Sequence, residues 1–416
     1  MRKLSITFLA ILFAIVSSAQ CDGERYREFI FESLDITTDV QYGNNYDLNG
    51  NDVALLLDVY EPSGDSQELR PLVIFAHGGS FVGGSKEGAD VVPICQDLAK
   101  MGFVTSSINY RLGLPLTLAL QEPATEAVMR GYHDMKAAIR FFRKDIAENG
   151  NTYGIDTDEI YIGGVSAGGF ITLHIAFLDD LAEVPEYLDL EQQGLTGGLE
   201  GDSGNEGYSS DFNALINIAG AVGDTAWMAT GDEPLLSFHG TGDNTVPYGS
   251  EMLQMFGTFD VMEVDGSASI AEKADELELT HCFETHWMEG HVPHVSNEAY
   301  YDTTRSIISN FLSHFVCPND IALDCDYREI SVLTGVAELT SSGIYFFPNP
   351  ASDQLQIELI GDQNHYVRIL NLTGQIVLEE RLNSRKASLD ISRLAPGCYL
   401  IGQGQRPEAY QKLIIE

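Results

Sequence analysis

The sequence predicts an α/β fold, a mostly parallel sheet with helices on both faces, followed by a small all-β sandwich. Three observations predict it. Short β-type apolar runs alternate with longer segments of helical period from Arg27 to about Phe315. Ile344–Glu416 has no helical period and reads as short strands separated by turn residues. At 416 residues and 44% hydrophobic content, the chain can bury one large core and one smaller one.

The elements follow in order. Met1-Arg2-Lys3 is basic, Leu4–Val16 is nearly all apolar, and Ser17-Ser18-Ala19 offers small residues before Gln20. Residues 1–19 therefore read as a secretory signal peptide. The apolar run is too short for a transmembrane helix, and no later segment reaches that length. Gln20 is too bulky for lipid attachment at Cys21. Residues 20–316 form the α/β domain, with strands expected at 53–60, 72–76, 103–109, 159–163, 213–219, 234–238 and 282–288. Helices are expected at 91–101, 122–148, 167–178, 248–256 and 296–315. Residues 179–211 break the rhythm as a Gly-, Ser- and acid-rich loop. Its Asp202, Asn205 and Glu206 suggest calcium, but the EF-hand spacing fails at Gly204 and no Glu closes the loop. Residues 317–343 read as a linker and 344–416 as the sandwich.

Charge and cysteines narrow the class. Lys and Arg number 23 against 62 Asp and Glu, a net charge of −39. Such a surface repels phosphate backbones, so nucleic acid is excluded as a partner, and its plain role is solubility. Six cysteines in an exported chain permit disulfides, and Cys317 and Cys325 are the local pair expected to join. No zinc spacing of Cys and His is present, and neither a metal nor a cofactor is expected.

Gly164-Val165-Ser166-Ala167-Gly168 spells G-x-S-x-G between an expected strand and an expected helix. A strand that turns sharply into a helix needs bare neighbours around a strained serine, which makes Ser166 the candidate nucleophile. Upstream, strand 72–76 runs into His77-Gly78-Gly79-Ser80. Small residues there let backbone N–H groups approach an oxyanion, so Gly79, Ser80 and Ala167 are the candidate donors. Asp243 follows the strand at 234–238 and is the candidate acid, ahead of Asp224 and Asp232. His291 follows the strand at 282–288 and is the candidate base, with His294 as the alternative. His239, His281 and His286 read as structural.

The order oxyanion loop, Ser, Asp, His on an alternating pattern is the α/β-hydrolase signature. Residues 55–315 resemble esterases of the carboxylesterase and hormone-sensitive-lipase type through "LDVYEP" (57–62), "PLVIFAHGGSFVGGSK" (71–86), "NYRLG" (109–113) and "IGGVSAGG" (162–169). One departure is Ser80, where the H-G-G-G loop has its third glycine. The resemblance implies a serine hydrolase that cleaves carboxylic esters through an acyl-enzyme. Candidate substrates are acetyl or feruloyl esters of polysaccharides and short-chain glycerides. The alternatives are a peptidase of the prolyl-oligopeptidase type and a catalytically silent surface binding protein.

The C-terminal stretch is similar to the type A sorting domain of the type IX secretion system. The matching residues are Phe347-Pro348-Asn349-Pro350-Ala351-Ser352-Asp353, Val367–Gln375, Leu394–Leu400 and Lys412–Ile415. This resemblance implies the type IX machinery as a partner and a secreted or cell-surface location.

Overall fold

A computed structural model describes residues 21, 23–115, 119–255, 258–327, 344–347, 350–359, 366–371, 375–382, 386–403 and 410–415. The expected signal peptide and residues 328–343 of the expected linker lie outside the described residues. The chain divides into two units, Met1–Glu329 and Ile330–Glu416.

The first unit is built on an eight-stranded sheet. In chain order its elements are β1 (Leu34–Tyr46), β2 (Asp52–Pro62), β3 (Arg70–Ala76), α1 (Val92–Lys100), β4 (Val104–Ile108), α2 (Gln121–Glu148), β5 (Ile155–Val165) and α3 (Ala167–Phe177). They continue with β6 (Ala214–Ile218), β7 (Ala221–Val222), β8 (Leu235–Gly240), β9 (Ser250–Met255), β10 (Phe259–Gly266), α4 (Ser267–Glu276), β11 (His281–His286) and α5 (Glu298–Val316). The sheet order is β1-β2-β4-β3-β5-β6-β8-β11. The β1/β2 and β2/β4 pairs are antiparallel, and every pair from β4 to β11 is parallel.

The period of two along each strand sorts its side chains onto two faces. Leu72, Ile74 and Ile162 join one core with Met135, Ile139 and Ile171 of α2 and α3. Val73, Phe75 and Tyr161 join the other with Leu98 of α1 and Phe311 of α5. Both faces are covered, as parallel sheets require. Chain direction diverges at β3, with β4 on one side and β5 on the other. The crevice beyond the carboxyl ends of these strands is the natural site position.

Two expectations are corrected. The described residues 248–255 of the helix expected at 248–256 are not helical: β9 pairs antiparallel with β10, in a three-stranded sheet ordered β7-β10-β9. Met252, Leu253 and Met255 satisfy either period in so short a run, and β10, where Met262 and Val264 alternate with the acidic Glu263 and Asp265, decides for a strand. Cys317 and Cys325 do not pair with each other. Cys317 ends α5 and joins Cys21, whereas Cys325 joins Cys282 on β11, with Cα separations of 5.7 and 5.2 Å. The turn closed by Asp320 N–H and Ile321 N–H on the Cys317 carbonyl carries the chain from one partner to the other. These bonds hold residues 317–325 to the first unit.

The second unit carries a three-stranded antiparallel sheet, with β12 (Ile344–Phe347), β13 (Gln354–Leu359) and β16 (Lys386–Asp390). A four-stranded antiparallel sheet is ordered β15-β14-β17-β18. Its strands are β14 (Tyr366–Asn371), β15 (Ile376–Arg381), β17 (Gly397–Gln403) and β18 (Tyr410–Ile415). Leu355, Ile357 and Leu389 of the first sheet pack with Val367, Ile369 and Ile401 of the second in one core. This is an all-β sandwich.

Candidate active site

Ser166 sits between β5 and α3 with φ 54° and ψ −113°, a backbone state an L-residue adopts only at a cost of about 1–3 kcal/mol. The surrounding glycines make the turn sterically possible. A Cβ on Gly164 would lie 2.0 Å from the Gly168 carbonyl oxygen, and one on Gly168 would lie 2.1 Å from that of Ala76. Ser166 N–H donates to the Ile218 carbonyl at 2.8 Å, and its own carbonyl accepts from Phe170 N–H, starting α3. Every residue of α3 is buried, so the helix is clamped in place beneath the serine.

His291 Nδ1 donates to Asp243 Oδ2 at 2.6 Å. Its Nε2 is thereby left to accept from Ser166 Oγ at 2.8 Å. Loops after β5, β8 and β11 thus bring Ser166, Asp243 and His291 together. The Asp243 carboxylate is fully buried. Burial alone would raise its pKa, but hydrogen bonds from His239 and His291 and the positive charge His291 can carry outweigh it. The Val246 N–H adds to them, and the carboxyl is held well below the usual carboxylate range. Its Oδ1 accepts from the N–H groups of Thr245 and Val246 at 2.8 and 3.0 Å.

His239 carries more than its sequence context suggested. Its Nε2 lies 3.3 Å from Asp243 Oδ2 and 3.2 Å from the Val246 carbonyl, so that nitrogen bears the hydrogen. Its Nδ1 then accepts from Ser267 Oγ at 2.8 Å, and Ser267 Oγ accepts from Asn217 Nδ2 at 3.0 Å. A buried relay runs from Asn217 through Ser267 and His239 to the carboxylate. A histidine one turn before the acid is visible in the sequence, but the partner that orients it comes from α4, which is not among the expected helices.

His294 stands apart. It is buried, burial pushes its pKa down to about 4, and among the described residues it makes no hydrogen bond to Ser166 or Asp243. Asp224 and Asp232 accept from the nearby Ala226 and Ala229 N–H groups and do not reach His291. His281 and His286 pack near Leu279 and Tyr300.

The expected oxyanion loop is tightly wound. Gly79, Ser80 and Phe81 all have positive φ, at 115°, 54° and 59°. The Gly79 carbonyl accepts from Val82 and Gly83, and Gly78 N–H donates to Asp90 Oδ2 at 2.7 Å. Among the described residues nothing accepts from the Gly79 or Ser80 N–H. Ala167 is the first residue of α3, whose N–H has no partner within the helix. Ser80 and Ala167 both line the cavity beside Ser166.

That cavity holds about 380 Å³ and is walled mainly by apolar side chains. Val128 and Met129 come from α2, Phe170 from α3, and Leu253 and Val261 from the β9–β10 hairpin. Asp202 and Asn205, weighed for calcium, instead tie down the long loop: Asp202 accepts from Asn45, and Asn205 donates to the Tyr42 and Ala137 carbonyls. Among the described residues no group of three or more His, Cys, Asp or Glu is arranged to hold a metal ion. No helix among them is long and apolar enough to cross a membrane.

Residues 57–222 match the BD-FAE family model, and residues 343–416 match that of the secretion system C-terminal sorting domain. Esterase-5C of Drosophila miranda is 30% identical over 146 residues, 34% of this chain and 25% of that protein. Lipase 1 of Geotrichum candidum is 30% identical over 131 residues, 30% of this chain and 22% of that protein. The matches thus span a quarter or less of these curated relatives. A thermophilic esterase from Thermogutta terrifontis with propionate bound is 21% identical, covering 70% of this chain and 96% of that one at a TM-score of 0.47. The chain carries a BD-FAE domain of α/β-hydrolase fold and a C-terminal sorting domain that marks it for type IX secretion to the cell surface or beyond.

Proposed function

We propose that the protein is a secreted serine esterase that cleaves carboxylic esters through an acyl-enzyme. The observation that carries this reading is the continuous chain Ser166 Oγ, His291, Asp243 at 2.8 and 2.6 Å. Ser166 Oγ attacks the ester carbonyl carbon while its proton passes to His291 Nε2. The buried Asp243 carboxylate holds the imidazole tautomer and stabilises the imidazolium. The N–H groups of Gly79, Ser80 and Ala167 take the charge on the carbonyl oxygen. The tetrahedral intermediate collapses, the C–O bond to the alcohol breaks, and the alcohol leaves with the proton from His291. Water, deprotonated by His291, then cleaves the acyl–Ser166 bond, releases the acid and returns the proton to Ser166.

The apolar cavity beside Ser166 supports an apolar acyl group rather than a peptide chain with charged termini. The type IX machinery is the partner that the sorting domain implies. The test is turnover of p-nitrophenyl esters by the wild type and Ser166→Ala. Ester cleavage lost in the variant supports the reading, and equal rates in both proteins refute it. Amide turnover exceeding ester turnover would move the assignment to a peptidase.

A further inference from the structure

His174 is a polar residue in this apolar cavity, and the reaction above leaves it unused. It lies eight residues after Ser166 on α3, about 12 Å along the helix axis at the usual rise. The ring is buried, 8% exposed, and held on three sides. Nδ1 lies 2.7 Å from the Phe170 carbonyl oxygen, which can only accept, so Nδ1 carries the hydrogen. Phe170 stacks on the ring at 6.3 Å, and Trp227 meets it edge-on at 5.7 Å.

Nε2 is therefore a bare lone pair. Among the described residues nothing donates to it. It faces Gly223, where a Cβ would come 3.5 Å from it and 2.6 Å from the Trp227 ring. The missing side chain leaves the nitrogen open to the cavity. Burial pushes the pKa of His174 down to about 4, so near neutral pH the imidazole is uncharged. It can accept a hydrogen bond from a ligand and offers no charge to an anion. Two other polar side chains of the wall are engaged: Thr125 Oγ1 donates to the Gln121 carbonyl, and Gln254 Nε2 donates to Asp260. An acceptor in an apolar wall favours a ligand that supplies a donor over one that leaves it unpaired.

We propose that the far end of the cavity is a hydroxyl-recognition subsite, where His174 Nε2 accepts from a hydroxyl at the tip of an otherwise apolar acyl group. This rests on Ser166 being the acylated residue. Eight residues of helical rise put about 12 Å between the two backbone positions, the order of an eight-carbon acyl chain. The subsite selects for an uncharged donor. A carboxylate at the same position would meet a lone pair in a low-dielectric wall and be rejected.

The experiment compares methyl esters of ω-hydroxyoctanoic, ω-methoxyoctanoic and octanoic acids, which differ only at the tip. In the wild type kcat/KM for the hydroxy ester should exceed that for the methoxy ester by about tenfold, the effect of one hydrogen bond. In His174→Phe that ratio should fall to near one, and His174→Gln, whose amide oxygen can accept, should restore part of it. Calorimetric binding of the same esters to Ser166→Ala and to Ser166→Ala/His174→Phe reads the subsite without catalysis. Selectivity for the hydroxy ester that disappears with His174 supports the proposal. A hydroxy-to-methoxy ratio near one in the wild type overturns it, as does one unchanged in His174→Phe. Discrimination in binding with no turnover of any ester would keep the subsite and refute the esterase. Turnover with no discrimination would do the reverse.

Discussion

At the scale of single residues, two histidines converge on one carboxylate oxygen. His291 and His239 both approach Asp243 Oδ2, but only His291 also reaches Ser166. Removing each should therefore have a different effect. His291→Ala should lower kcat by at least about 10³-fold because it takes away the proton acceptor. His294→Ala should leave most of the activity, because that ring lacks a bond to either partner. Steady-state rates on a p-nitrophenyl ester check both. His239→Leu keeps the volume and removes the N–H that faces Asp243. A hydrogen bond to a charged group is worth about 1.5–3 kcal/mol, so kcat should fall about ten- to hundredfold with KM little changed. A merely structural role would instead lower thermal stability and leave kcat per folded molecule intact.

These residues differ in how readable they were. Ser166, Asp243 and His291 are each announced by a strand end followed by glycine or a turn, a local feature that survives in the sequence. His239 and His174 have no such local mark. The meaning of His239 depends on Ser267, and that of His174 on Trp227 and Gly223, all far away in the chain.

At the scale of elements, the turn from β5 to α3 and the β9–β10 hairpin shape the site. The turn brings α3 so close to the end of β3 that Gly168 touches the Ala76 carbonyl. Gly168→Ala should destabilise the fold by at least about 2 kcal/mol through forced overpacking, and move Ser166 as well. Denaturant unfolding should give that loss together with a fall in activity per folded molecule. The elbow was legible because strain demands glycine there. The hairpin was not, because Met252, Leu253 and Met255 fit a helix or a strand equally well. What decides is a partner strand that itself alternates, together with the apolar cavity that strands β9 and β10 help to wall. The disulfides escape sequence proximity for a related reason. Sequence proximity favoured Cys317 with Cys325, whereas the end of α5 and the edge strand β11 present each to a distant partner.

At the scale of the whole molecule, acidity and export fit together. A net charge of −39 and two disulfides suit a protein bound for the outside of the cell, as its sorting domain directs. Acid should nevertheless unfold it. His133, His174 and His294 are buried, and burial pushes each down to about 4. In the unfolded chain they would titrate near 6.5. Below that pH the unfolded state binds protons that the folded state refuses, so stability falls between about pH 6.5 and 4. The buried Asp243 carboxyl works in the same direction, since its lowered pKa contributes stability above about pH 4 that is lost as the pH falls further. Thermal midpoints from pH 7.5 down to 4 should drop steadily, with roughly three protons taken up on unfolding near pH 5. A flat profile would mean that the three rings are not held neutral.

The most direct measurement concerns the bond the mechanism requires. Wild-type protein is mixed with a slowly deacylating p-nitrophenyl ester, quenched in acid, digested and analysed by mass spectrometry. The peptide containing Ser166 should carry the acyl group in near-stoichiometric amount, and the adduct should be absent from Ser166→Ala. Ester hydrolysis that proceeds with no acyl group on Ser166, or with the acyl group on another residue, would contradict the account.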